Sequence, residues 1–92
     1  MLFRSERGRW VKARFFLGRG FALDDPLGFA EALGRHGADH WPGRAITTRL
    51  GAKHVLIGPM RCPDGSAPRV LSVWMLLSDR VAAALVTAYP AP

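Results

Sequence analysis

The spacing of apolar residues changes near residue 45, and this change limits the folds open to the chain. Before it, apolar side chains recur three or four positions apart, which is the helical period. After it, short runs rich in β-branched and aromatic residues are separated by turn residues, which is typical of strands. Helices followed by strands with short connections predict an α+β fold, with two N-terminal helices packed on a four-stranded antiparallel β-sheet.

Two helices are predicted in the first half of the chain. The first spans residues 10–18 and ends at glycine, which accepts a left-handed conformation. The second begins near residues 24–25, where an aspartate can act as the N-cap and Pro26 fits the first helical position. Glycine weakens a helix, so we expect this helix to stop at Gly37 and a loop to cover residues 38–44.

The second half of the chain predicts four strands and one tight turn. The turn is centred on Asp64-Gly65, a pair that is typical of hairpins. The third strand is apolar on both of its faces, which indicates a central position in the sheet. The predicted strands span residues 45–50, 53–59, 69–78 and 84–89.

Composition narrows the class of protein. Hydrophobic residues make up 49% of the 92 residues, which is enough for one core, so we predict a single domain over residues 1–92 with a loose arm at 1–9. Cys62 is the only cysteine, which excludes an intramolecular disulfide. Neither a secretory signal nor an apolar run of about twenty residues is present. We therefore expect a cytoplasmic, non-membrane protein. The three histidines have no ligand-type spacing with Asp or Glu and no nucleotide-binding glycine loop is present, so we expect no metal or other cofactor.

The charge of the chain is unevenly distributed. The formal net charge is +6, and residues 1–20 carry six basic residues against one acidic residue. Such a segment suits a polyanion such as RNA or DNA, or an acidic partner protein. Eleven of the thirteen basic residues are arginine, so a solubilising surface in an arginine-rich protein remains the alternative.

Several cationic and hydroxyl side chains have the chemistry that metal-free RNA cleavage requires. Such cleavage needs a base for the 2′-hydroxyl proton, an acid for the leaving oxygen, and cations or hydroxyls that hold the phosphorane charge. Histidine is the usual proton-transfer group, so His54 is the first candidate base. Each candidate also has a structural alternative, as a packed strand residue or a solvated surface charge. The catalytic candidates are Lys12, Lys53, His54, Thr87 and Tyr89, and the substrate-binding candidates are Arg14, Thr48, Arg69 and Trp74.

Four segments in the same order resemble DUF6883, an uncharacterised family of bacterial and phage domains. They cover about residues 8 to 90 and depart from the family pattern at Leu50 and His54, where the family usually or often has an aromatic residue. The segments are Lys12-Ala13-Arg14-Phe15-Phe16 with Gly20-Phe21, Thr48 to His54, Pro63-Asp64-Gly65 with Val70 to Trp74, and Val86-Thr87-Ala88-Tyr89-Pro90.

The resemblance implies an architecture similar to the barnase–EndoU–colicin–RelE class of toxin ribonucleases. If the chain is such a ribonuclease, we expect Lys12 and Arg14 to face Lys53, Thr87 and Tyr89 across a basic cleft, and an acidic antitoxin or immunity protein to be its partner. Two hypotheses follow. The first is a metal-independent RNase-like domain that acts on RNA. The second is a non-catalytic basic domain that binds nucleic acid or an acidic protein.

Overall fold

The structure is a computed structural model and describes residues 14–79 and 82–92. Residues 14–17 are helical, and the elements that follow alternate with short connections. They are helix α1 at Pro26–His40 and strands β1 at Arg44–Thr47, β2 at Gly51–Pro59, β3 at Arg69–Leu77 and β4 at Ala84–Pro90. The predicted arm at 1–9 and the start of the first predicted helix, residues 10–13, lie outside the described residues.

The strands form one four-stranded antiparallel sheet in the order β1-β2-β3-β4. All four predicted strands are confirmed, with differences at their ends. β1 ends at Thr47 because Thr48 closes the turn to β2. The Thr48 hydroxyl donates to the carbonyl of Gly51 at 2.8 Å and accepts from the amides of Leu50 and Gly51. The structure therefore confirms an α+β fold with a four-stranded antiparallel sheet.

Helix α1 begins where the sequence predicts. Asp25 is the N-cap, and its carboxylate accepts from the amide of Gly28 at 3.1 Å. The predicted end at Gly37 is wrong, because the helix continues to His40. Gly37 is required by packing instead, since a Cβ added there would lie 2.8 Å from Cζ2 of Trp74. The tertiary contact thus overrides the weak helical propensity of glycine.

The main core lies between α1, the helical residues 14–17 and one face of the sheet. The ring of Phe16 lies 4.9 Å from that of Phe29, and Val70 and Ala88 of the sheet are fully buried beneath them. Each large apolar side chain buried in this way contributes roughly 1.5–3 kcal/mol. The buried members of the core are Phe16, Phe21, Leu33, Met60, Cys62, Val70 and Ala88.

The strand register divides the sheet residues between two faces. Paired residues share a face and consecutive residues alternate, so the contacts of α1 with Ser72 and Trp74 identify the helix side. We call the opposite surface the far face. Its positions are Arg44, Ile46, Gly51, Lys53, Val55, Ile57, Pro59, Arg69, Leu71, Val73, Met75, Leu77, Ala84, Thr87 and Tyr89, of which Val73 is buried. Within the described residues, no helix is long and apolar enough to cross a bilayer.

Candidate functional site

The structure separates the predicted site residues into two groups. Lys53, Thr87 and Tyr89 lie on the far face, whereas His54 lies on the helix side with Trp74. Lys53 and His54 are consecutive in β2, so they cannot point to the same face. The predicted grouping of His54 with Lys53 is therefore absent.

The predicted basic cleft is also absent from the described part of the chain. Arg14 is exposed, but it belongs to the helical residues 14–17, whose Phe16 packs on the helix side against Val70 and Ala88. That segment and the far face lie on opposite sides of the sheet. Lys12, the other predicted cation from this region, lies outside the described residues.

His54 is a packed residue that holds the turn after α1. It is 7% exposed, and its Nδ1 lies 2.8 Å from the carbonyl oxygen of Pro42. Because a carbonyl can only accept, Nδ1 carries the proton and donates it. The ring also stacks on Trp41, with centroids 4.0 Å apart and planes at 21°. This placement favours the structural alternative to a catalytic base.

Two predicted substrate-binding residues also have structural roles. The hydroxyl of Thr48 is engaged in the β1–β2 turn. The indole Nε1 of Trp74 donates to Ser72 Oγ at 2.9 Å, and its ring packs closely on Gly37. Neither side chain lies on the far face beside Lys53.

A buried hydrogen-bond chain centred on His36 joins α1 to the sheet. Its Nε2 lies 3.1 Å from the carbonyl of Gly58 and 3.0 Å from that of Val70, so Nε2 carries the proton. Its Nδ1 lies 2.9 Å from Ser72 Oγ and, in the neutral ring, accepts the hydroxyl proton. The same Oγ accepts from Trp74. Every donor and acceptor of this chain is then satisfied by a neutral imidazole.

The surroundings of His36 keep the ring neutral. Its exposed fraction is 1%, and burial lowers its pKa from the ordinary value although the two carbonyls oppose the shift. His36 and Ser72 have the composition of a base and a nucleophile, but Ser72 is 0% exposed, so no substrate reaches its hydroxyl. Sequence reasoning missed this network, and the signal for it was a serine within an otherwise apolar strand.

The far face is basic. Arg44 and Arg69 are exposed and Lys53 is half-buried, and the four strands contain no aspartate or glutamate. Lys53 and Arg44 lie on adjacent strands with a two-residue offset, which places their Cα atoms about 8 Å apart. Sequence reasoning missed Arg44, although the lack of acidic residues in the strands was visible.

The centre of the far face is apolar. Ile46 and Ile57 remain 41% and 43% exposed, Val55 and Leu71 beside them are partly buried, and Val73 next to Val55 is buried. Tyr89 is paired with Leu71 and therefore borders this apolar strip. The face thus combines cations at its margins with apolar and aromatic groups between them.

Lys53, Thr87 and Tyr89 share this face but are not in direct contact along the backbone. β2 and β4 flank β3, and Lys53 pairs with Met75 whereas Thr87 pairs with Val73. From strand geometry, the Cα atoms of Lys53 and Thr87 are about 12 Å apart. A phosphodiester that lies across β3 would therefore be within reach of a lysine from one side and a hydroxyl from the other.

The described residues contain only part of the charge. Residues 14–79 and 82–92 carry eight basic and six acidic side chains, a net of +2 of the total +6. Most of the basic excess therefore belongs to positions outside the described residues. Within residues 14–79 and 82–92, no three His, Cys, Asp or Glu side chains are grouped in a way that could hold a metal ion.

Comparison with known proteins identifies the family. A family model described as a domain of unknown function, DUF6883, matches residues 3–92, which is nearly the whole sequence. No curated protein and no solved structure matches the chain. The four strands fall within the matched range, as does the turn at Asp64-Gly65, in which the amide of Gly65 donates to the carbonyl of Cys62 at 3.0 Å. The chain therefore belongs to the DUF6883 family.

Proposed function

We propose that this domain binds RNA through the far face of its sheet. The observation that carries the proposal is the presence of Arg44, Lys53 and Arg69 on a face whose strands contain no acidic residue. Phosphates supply most of the affinity of proteins for nucleic acids, and arginine and lysine are their usual partners. No carboxylate side chain of the strands neutralises these cations, and the partner of Arg69 is the oxygen of Pro92, to which its Nη1 donates a long bond of 3.5 Å.

The apolar strip between the cations favours RNA that is single-stranded. Tyr89, Leu71 and Ile57 form a row across three adjacent strands. Unpaired bases can lie on such a row, because aromatic and apolar side chains pack against their faces. The six basic residues of the segment 1–20 add long-range attraction for a polyanion. A cytoplasmic location is part of this proposal.

Metal-independent RNA cleavage on the same face is a second candidate, in the manner of toxin ribonucleases. The observation that favours it is the shared orientation of Lys53, Thr87 and Tyr89. Because His54 lies on the helix side, Lys53 and Tyr89 would together carry out the two proton transfers, and Thr87 would donate to the phosphate. An acidic antitoxin or immunity protein would then block the site by covering this face.

RNA binding is tested by fluorescence anisotropy with a labelled single-stranded RNA over a series of salt concentrations. The test variant replaces the three far-face cations with glutamine (Arg44→Gln, Lys53→Gln and Arg69→Gln). The control variant loses the same charge elsewhere on the surface, through Arg35→Gln, Arg49→Gln and Arg61→Gln. The slope of log K against log salt is negative and changes by about 0.7 for each phosphate neutralised on a single strand. If each far-face cation neutralises one phosphate, the slope of the test variant should be shallower by about 2. If the two triple variants lose equal RNA affinity, the proposal is rejected.

Cleavage is tested by incubating the same RNA with the protein in EDTA. Lys53→Ala and Tyr89→Phe should each abolish the products, and His54→Ala should retain cleavage once circular dichroism shows that it is folded. RNA that remains intact with the unaltered protein rejects cleavage and leaves binding to be judged by anisotropy alone.

A further inference from the structure

A cavity of about 240 Å³ lies between α1 and the segment that follows β2. It is on the helix side of the sheet, so it is separate from the far face. Phe21, Met60, Cys62 and His36 are among the residues that line it, and all four are buried. Ala32, Pro59 and Pro63 also line the cavity and supply its more accessible apolar surface, and we call these seven residues the floor.

Charged side chains of both signs surround this floor. Glu31, Arg35 and Asp39 follow one another at four-residue intervals along α1, about 6 Å apart along the helix axis. Arg61 lines the cavity from the segment after β2. The rim therefore carries two positive and two negative groups.

These four charged side chains do not pair with one another. Glu31, Arg35 and Asp39 have the spacing at which opposite charges on a helix usually pair. Nevertheless, within residues 14–79 and 82–92 these three side chains and Arg61 form no salt bridge or hydrogen bond. Among the described residues, no partner neutralises these charged groups.

The floor adds no charge. Both ring nitrogens of His36 are already hydrogen-bonded, and burial lowers its pKa. Burial raises the pKa of the Cys62 thiol, whose Sγ lies 3.4 Å from the carbonyl of Met60 and donates to it. A ligand would therefore meet charge only at the rim and neutral surface at the base.

We propose that this cavity binds a small zwitterion with an apolar side chain, in the class of free aliphatic α-amino acids. Arg35 and Arg61 receive the carboxylate, because guanidinium groups bind carboxylates through paired hydrogen bonds. Glu31, one turn before Arg35 on α1, receives the ammonium group, and the aliphatic side chain rests on the floor. The two carboxylates repel a polyanion, so this site does not serve RNA. The volume is below the range typical of drug-sized ligands, which suits a molecule of this size.

The test uses the full chain and follows amide resonances by NMR and thermal unfolding during titration with L-leucine. L-Leucine should shift the resonances around the cavity and raise the Tm in a concentration-dependent way. Two matched probes each lack one charge, N-acetyl-L-leucine without the ammonium group and L-leucinamide without the carboxylate. Both should bind at least about tenfold more weakly, since a lost charge-assisted bond is worth at least 1.4 kcal/mol.

Variants complete the test. Arg35→Gln and Glu31→Gln should each weaken L-leucine binding, whereas Arg49→Gln, on the β1–β2 turn, should not. The far-face triple variant should bind L-leucine normally, which distinguishes this site from the RNA surface. Absence of any response to millimolar L-leucine, or an equal response to all three probes, would overturn the proposal.

Discussion

Replacing His36 with alanine should destabilise the protein more than any other single histidine substitution. Its side chain satisfies the hydroxyl of Ser72 and contacts the carbonyls of Gly58 and Val70, all inside the interface between α1 and the sheet. Each buried polar group left without a partner costs about 1–3 kcal/mol, and the missing ring adds a cavity. We expect a loss of about 3–5 kcal/mol, a large part of the 5–15 kcal/mol that is usual for a domain.

His40→Ala is the matched control. His40 is one turn further along α1, and its Nε2 donates a single bond to the carbonyl of Pro59 at 2.9 Å. We expect its removal to cost about 1 kcal/mol, the typical net value of one hydrogen bond. Urea unfolding followed by circular dichroism gives both values. If His36→Ala costs no more than His40→Ala, the hydrogen-bond chain does not hold the helix to the sheet.

The same network predicts the direction of the pH dependence. The pKa of His36 is lowered in the folded protein, so between the folded and unfolded values the unfolded chain binds more protons. The contribution of His36 to stability is therefore complete above about pH 6.5, the ordinary pKa of histidine, and is lost as the pH falls through the lowered value. The free energy of unfolding should fall between pH 7 and pH 5, by at most about 1.4 kcal/mol per pH unit from this residue. His36→Gln should remove this dependence, and an unchanged pH profile in that variant would contradict the assignment.

Four further substitutions test the fold. Gly37→Ala should destabilise the protein by about 1–3 kcal/mol, because its Cβ would overlap Trp74. Gly34→Ala, with open space in the same helix, should stabilise the protein by up to about 1 kcal/mol. Equal effects of the two substitutions in thermal unfolding would refute the packing argument. Asp25→Ala should cost about 1 kcal/mol through the lost N-cap, and a neutral result in urea would contradict that role. Thr48→Ala should lower the free energy of unfolding by about 1 kcal/mol and leave RNA affinity unchanged. A loss of RNA affinity without a loss of stability would show instead that Thr48 contacts RNA.

The amino-acid sequence by itself determined the local elements of this protein. The start of α1 follows from Asp25 and Pro26, which are an N-cap and a first-turn residue whatever surrounds them. The strands and the turn at Asp64-Gly65 follow from alternation and turn chemistry, which involve only near neighbours in the chain. The opposite orientations of Lys53 and His54 also follow from alternation in β2.

Only the tertiary structure decided which face of each strand is covered and how far α1 extends. Alternation separates Lys53 from His54 but does not say which of them faces the helix, because that depends on contacts between residues distant in sequence. The continuation of α1 through Gly37 depends on Trp74, 37 positions later, and the neutrality of His36 depends on Ser72 and two carbonyls of the sheet. Packing and burial are properties of the assembled fold, so local propensity carries no information about them.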